Sequence, residues 1–368
     1  MSSVLTNTNS NVSRPVPPAN TGSKLLDALA DTLLALLQLE RRFDPFVRPA
    51  LDAIFRDPVA RLVTFLINAR RIDEKLAIAQ ERPFPGEEQF VDSIIASFTQ
   101  QMKGLWKPGG FERGGNTKTQ GIVRAEFIVH DGLPAEFRHG IFATPKTYRA
   151  WVRFSGPGPY VPPDIEDFGQ CSVAIKVMGI SGLKLMEDER FTQDLILVSP
   201  ASFVTPNILE NAKLQQWVRA KAPLAYAINP FDSHLLYLFM QLLYSPMHAN
   251  PLEVQYYSNV PFLLGEDQAV EYSLKPREPA TTKIPARPAE NYLRDAMVKT
   301  LAAGSRTFDF VVQVQTDSHL MPIEDATVNF ADILRYNPWH SLPDHKPLGN
   351  SNRARRTMYY ELAKLRQA

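Results

Sequence analysis

Tyr148-Arg149-Ala150-Trp151-Val152-Arg153-Phe154-Ser155-Gly156 decides the reading of this chain. Aromatic and β-branched side chains crowd it and a glycine ends it, which predicts a short strand over Tyr148–Ser155. Upstream, Val123, Ala125, Phe127 and Val129 alternate with Arg124, Glu126 and Ile128, the two-residue period of a half-buried strand. Downstream, Cys171–Val177, Asp194–Ser199 and Val270–Leu274 are short and β-rich. In Thr307–Gln315, Phe308, Phe310, Val312 and Val314 again alternate with their neighbours. The strands are unevenly spaced, with proline-containing loops between them, and no internal repeat is visible.

Helical patterns surround this β-rich centre. Leu25, Leu26, Leu29, Leu33, Leu36 and Leu37 recur at three- and four-residue spacing behind Ser23, a capping residue. Further helices are predicted near residues 47–54 (from a turn containing Pro49), 60–79 and 87–103, up to the breaker Lys107-Pro108-Gly109-Gly110. Helical spacing returns at residues 207–220, 235–244 and 291–302, and last at 353–366, after the turn signal Gly349-Asn350. The expected organisation is a polar, disordered tail over 1–22, a helical extension over 23–105 and a β-rich domain over 106–368.

Composition narrows the function classes. A formal charge of +1 gives no basic field for nucleic acid. No apolar run reaches the ~18–20 residues needed to cross a bilayer, and residues 1–22 lack the apolar stretch of a signal peptide. One cysteine, Cys171, rules out an internal disulfide and fits a reducing, cytoplasmic setting. Phosphate-loop, zinc-protease and serine-hydrolase motifs are absent. His340 and His345 flank a proline-rich stretch and form a possible metal pair, against the commoner reading of satisfied loop or core groups.

The last helix carries more. Arg355 and Tyr359 are four residues apart and share a face. A guanidinium beside a phenol favours the anion, and a tyrosinate is a competent axial ligand for ferric haem. The same spacing is also common on solvated helices.

Three stretches, taken in order, resemble the catalase family. Trp151-Val152-Arg153-Phe154-Ser155-Gly156 matches the family's VRFS strand, whose arginine helps to hold a haem propionate. Ala174-Ile175-Lys176-Val177 resembles its G-F-A-V-K-F strand, with Val173 where a haem-packing aromatic belongs. Arg355-Arg356-Thr357-Met358-Tyr359 fits its R-x-x-x-Y, the proximal arginine and the ligand tyrosine, with Arg356 and Tyr360 as the one-residue alternative. Phe308–Gln315, Asn337-Pro338-Trp339-His340 and Pro347-Leu348-Gly349 agree more weakly. The resemblance covers roughly residues 105–368 and implies an α+β fold. Its centre would be a closed antiparallel β-barrel of about eight strands, with inserted helices and the N-terminal helical extension outside it. It also implies haem b, with iron on Tyr359, Arg355 holding the phenolate, and Arg113 and Arg153 on the propionates. Oligomers are common among such barrels, so a homo-oligomer is expected.

One departure bears on chemistry. Catalases read R-x-x-H-A-x-G-x-G at the distal site, and here the stretch is Arg113-Gly114-Gly115-Asn116-Thr117-Lys118-Thr119-Gln120-Gly121. Asn116 stands where the distal histidine belongs, or Thr117 after a one-residue shift, and neither titrates near neutral pH. Gln193 is the candidate for the family's distal amide. Ser155 corresponds to the serine that bonds the missing histidine, and Lys118 reads as a solvated loop charge. Relatives that rearrange or cleave fatty-acid hydroperoxides work without a strong distal base. The expected function is therefore a haem enzyme acting on an organic or lipid hydroperoxide, or another O–O or N–O substrate, as isomerase, lyase, dehydratase or peroxidase. The alternatives are a weak hydrogen-peroxide catalase and a non-enzymatic haem-binding protein. Leu235–Met240 and Phe262-Leu263-Leu264 could line a channel for a hydrophobic substrate, or simply pack the core. The N-terminal helices suit packing or a subunit interface, with peripheral membrane contact the lesser alternative.

Overall fold

The structure is a computed structural model that describes residues 24–71, 74–167, 169–186, 189–219, 226–227, 232–328 and 343–367. The tail over 1–22 and the segment containing Asn337–His340 lie outside the described residues.

The centre is one antiparallel sheet of eight strands: β1 (Thr119–Val129), β2 (Lys146–Ser155), β3 (Ser172–Met178), β4 (Thr192–Val198), β5 (Tyr256–Tyr257), β6 (Phe262–Leu263), β7 (Ala269–Pro276) and β8 (Phe308–Val314). β1 to β4 pair in sequence order, β4 passes to β5, and β5, β6 and β8 all pair with β7. Each strand follows from its side-chain alternation. In β1, Phe127 and Val129 are buried, whereas Ile122, Arg124, Glu126 and Ile128 face outward. Arg124 lies over the ring of Trp151, its register partner on β2, at 5.5 Å. Nearly every residue of β3 and β4 is buried, so both faces of these two strands are covered. Cys171, just before β3, is 1% exposed, and burial pushes its thiol well above the ordinary range.

The expectation of a closed barrel is corrected. Among the described residues no ladder joins β8 to β1, so the sheet is curled and open. Rings fill the space between its ends. Phe127 of β1 meets Phe310 of β8 edge-on at 5.3 Å, and Phe142 and Tyr272 pack beside them. The two ends thus meet through aromatic side chains rather than through backbone hydrogen bonds.

The helices are α1 (Lys24–Leu51), α2 (Asp57–Arg70), α3 (Glu87–Leu105), α4 (Ile208–Arg219), α5 (Leu235–Tyr244), α6 (Tyr292–Ala303) and α7 (Gly349–Gln367). The helix expected near residues 47–54 is not separate. α1 runs through Pro45 and Pro49, and a π-helical turn at Asp52–Arg56 carries it straight into α2. Each proline lacks the N–H that would bond the carbonyl four residues back, yet the helix continues through both. α2 stops at Arg70 rather than near residue 79, and residues 74–86 form turns and extended chain. α3, α4 and α7 share one apolar cluster around Val91, Ile94, Ile208, Ala212, Ala354 and Met358. α5 packs on α2 through Met240 against Val63 and Ile67, so this face of Leu235–Met240 lies between helices. Phe262 and Leu264 belong to the sheet's core. Among the described residues no helix is long and apolar enough to cross a membrane.

Candidate functional site

The stretch Arg113–Thr119 leads into β1 and is held from two sides. On one side, Asn116 and Thr117 donate their amides to the carbonyls of Pro157 and Gly158 (3.0 Å each), and Gly156 donates to Lys118 O at 2.9 Å. On the other side sits α3. Gln101 Nε2 donates to Gly114 O at 3.3 Å, and a side chain at Gly114 would meet the Phe98 ring at 2.8 Å. Glycine is required there because helix and loop touch.

Asn116 takes a left-handed backbone, φ +52°, which asparagine tolerates better than most residues. Its Oδ1 accepts from Ser172 Oγ at 2.9 Å. Its Nδ2 makes no hydrogen bond to a described residue and remains as a donor. Arg153, 6% exposed, clamps the same segment: Nη2 donates to Asn116 O and Thr119 Oγ1 (2.6 Å each), and Nε to Thr119 Oγ1 at 3.1 Å. Thr117 is buried, with its hydroxyl donating to Arg113 O at 2.7 Å. The segment therefore presents the Asn116 amide rather than the Thr117 hydroxyl.

Strand pleating divides the remaining candidates. Ser155 pairs in register with Ser172, and Arg153 with Ala174, so Ser155 and Arg153 share the face that meets Asn116. Val173 pairs with Phe154 and Leu197, and Gln193 with Val177, on the opposite, core-facing side. Both are buried. Asn116, Arg153 and Ser155 are thus brought together, while Val173 and Gln193 are not joined to them.

Arg355 and Tyr359 lie on α7. Arg355 is 1% exposed, and its Nη1 donates to Asn352 Oδ1 at 3.2 Å. Asn352 in turn donates to Pro261 O (3.1 Å) and Leu348 O (2.9 Å), fixing the start of α7 to the loop before β6. Tyr359 is half-buried and packs into the α3–α4–α7 cluster, to which Phe98 also belongs. Phe98 therefore touches both the Gly114 backbone position and the cluster that holds Tyr359. The side chain of Tyr360, the alternative ligand, lies outside the described residues.

One sequence reading is corrected. Lys118 is not solvated: it is 6% exposed and its Nζ pairs with Asp164 at 2.8 Å. Burial raises the Asp164 carboxyl, and the Lys118 ammonium works against that rise. His345 follows the commoner of its two readings, a buried core group. It is 2% exposed, its Nε2 accepts from Ile141 N at 2.9 Å, and burial drives its pKa down to about 4. His340, its suggested partner, lies outside the described residues. Sequence reasoning missed Ser172, Thr119 and Asn352, which position Asn116, Arg153 and Arg355. Once a strand register was assumed, Ser172 opposite Ser155 was the available signal.

Glu210, Asp232 and His234 also converge closely enough to hold a cation. Lys213 already bridges the two carboxylates, at 2.7 and 2.9 Å, so the cluster stands as an ion-pair network. A cavity of about 10 Å³, room for little more than one water, lies between Asp164, Cys171, His248 and Tyr292, far below the roughly 300 Å³ at which ligand sites usually begin. On α7, a half-buried phenol on an apolar bed with a guanidinium one turn back suits a ferric haem in donor chemistry. Arg153 suits it less, since its donors already hold Asn116 and Thr119. Arg113 makes no ion pair with a described residue.

No family model matches the sequence, and no curated protein matches it. Solved catalase structures do match the fold. A fungal catalase aligns with a TM-score of 0.52 at 15% identity, over 80% of this chain and 66% of its own. Catalase A from Saccharomyces cerevisiae aligns with a TM-score of 0.51 at 12% identity, over 81% of this chain and 68% of its own. The chain spans about two thirds of the length of these catalases. At such identities the likeness is one of fold, and the fold is catalase-like.

Proposed function

We propose that this chain is a haem enzyme of the catalase-like fold that processes an organic or lipid hydroperoxide, or a related O–O or N–O compound, rather than dismutating hydrogen peroxide. The observation that carries the reading is the clamped Asn116. Its Oδ1 is bound to Ser172, its backbone carbonyl to Arg153, and its Nδ2 is left to donate. An amide can orient a peroxide oxygen but cannot take a proton from one oxygen and return it to the other. General acid–base help of that kind is worth roughly 10²–10⁴-fold, which hydrogen peroxide needs and a homolytically cleaved lipid hydroperoxide does without.

In this reading Tyr359 ligates the iron as a phenolate, Arg355 keeps that phenolate charged, and Arg113 pairs with a propionate. Arg153 and Ser172 are positioning residues for Asn116. Bound ferric haem supplies one-electron chemistry at the O–O bond. The chain's own groups orient the substrate and withhold a proton shuttle.

The test is the optical spectrum of haem-loaded protein, before and after hydrogen peroxide and, separately, a fatty-acid hydroperoxide. The expected result is a high-spin ferric spectrum, rapid loss of the lipid hydroperoxide and little oxygen from hydrogen peroxide. Tyr359→Phe should lose haem or shift the spectrum. Asn116→His should raise oxygen release about 10²-fold, toward the gain that a distal base provides. Failure to take up haem, or a spectrum indifferent to Tyr359→Phe, would refute the assignment.

A further inference from the structure

α1, the π turn and α2 form one continuous helical run over residues 24–70. Its inner side is engaged. Arg41 donates to Ser245 O, and Arg48 to Leu242 O and Leu243 O, while Val63 and Ile67 pack on Met240. Its outer side is apolar and open from Leu36 to Leu66, with Phe46 62% and Phe65 66% exposed. Among the described side chains, eleven large hydrophobic residues of this run are exposed. At about 100 Å² of open surface each they offer roughly 1,100 Å², where an ordinary monomer's largest patch is about 300–600 Å² and a standard interface takes about 800 Å² per partner.

The order of the stripe names its occupant. About a centre between Ala50 and Leu51, eight of its eleven large apolar residues fall into four mirrored pairs. Leu36 lies as far before that centre as Phe65 lies after it, and Leu39 mirrors Leu62 in the same way. Nearer the centre, Phe46 mirrors Phe55 and Val47 mirrors Ile54. Exposed Glu40 corresponds in the same way to exposed Arg61, of opposite sign. An antiparallel two-fold pairing about that centre brings each of these residues against its mirror position on the other copy. A lipid surface demands no such order, and acidic Glu40 and Asp57 stand among the exposed arginines Arg42, Arg56, Arg61 and Arg70 beside the stripe. Residues 1–22 of the same chain have no apolar period with which to cover the stripe.

We propose that the α1–α2 run pairs antiparallel with the same run of a second copy, on a two-fold axis passing between Ala50 and Leu51. This pairing is independent of the haem reading. Sedimentation equilibrium of the full chain should give a two-chain species. Phe46→Glu, at a surface position, should weaken it at least about 30-fold while leaving the melting temperature of the monomer in place. Glu40→Arg or Arg61→Glu alone should weaken it about 3-fold, and the two together should restore it. Ala50→Cys lies at the axis and should form an interchain disulfide under mild oxidation. Leu36→Cys, about 40 Å from its symmetry mate in this pairing, should not. A monomeric wild type, a dimer indifferent to Phe46→Glu, or efficient cross-linking through Leu36→Cys would each overturn the proposal. So would a monomer whose stripe is instead taken up by phosphatidylserine vesicles.

Discussion

His345 shows how far a residue's role depends on what lies above it. Its ring sits edge-on to Phe142 at 5.3 Å, and a side chain at Gly140 would collide with its Nε2. The Nε2 lone pair takes the Ile141 amide, so protonation would destroy a buried hydrogen bond as well as bury a charge. Burial holds both His345 and His248 near a pKa of about 4, against 6.5 for the free side chain. The unfolded chain therefore takes up these protons first. Their stabilising effect is complete above about pH 6.5 and is lost as the pH falls toward 4, by about 3 kcal/mol for each histidine. Melting temperatures measured from pH 7 down to 4.5 should fall through that window. His345→Gln, which keeps an acceptor for Ile141, should flatten the fall, and an unchanged slope would count against this account. The sequence left His345 as either half of a metal pair with His340 or a satisfied loop or core group. Nothing in a one-dimensional pattern says that a Phe ring and a glycine will close over it. Asn116 was legible because a motif marked its place. Ser172, which fixes the amide's orientation, was hidden because the partner comes from strand register.

At the scale of elements, α7 is held by charge as well as by its apolar face. Arg353 makes a two-pronged contact with Glu87 at the start of α3 (2.7 and 2.8 Å) and reaches Glu81 (2.7 Å) and Glu324 (3.2 Å). Burial alone would raise the Glu81 carboxyl, but hydrogen bonds from Lys346 and Arg353 outweigh it and hold it below its usual range. Arg353→Met would leave three carboxylates crowded around an apolar side chain and should cost about 3 kcal/mol, read as a lower denaturation midpoint. If α7 holds the iron ligand, the same variant should loosen haem without touching the tyrosine. The alternating strands β1, β2, β3, β4, β7 and β8 were legible because one face of each meets the core. β5 and β6 have two residues each and no period to read. The continuous run of α1 into α2 was hidden by Pro49, read as part of a turn, because local breaker rules take no account of a helix that continues through a π turn.

At the scale of the molecule, the fold class was legible and its closure was not. Motif order pointed to the right architecture, whereas the gap between β1 and β8 depends on how Phe127, Phe142 and Phe310 fill the interior, which is a matter of volume. α3 was counted with the N-terminal extension, yet it joins the Arg113–Asn116 loop to α7 through Phe98 and so belongs to the candidate site. Cys171 carries a consequence for the chain's own durability. A thiol reacts with peroxides as its anion, and this one is enclosed beneath the sheet with its ionisation suppressed. If the chain turns over peroxides as proposed above, its own thiol would be an early target. Depth and suppressed ionisation keep this single sulfhydryl from sulfenic acid and mixed disulfides, so the protein would outlast repeated turnover.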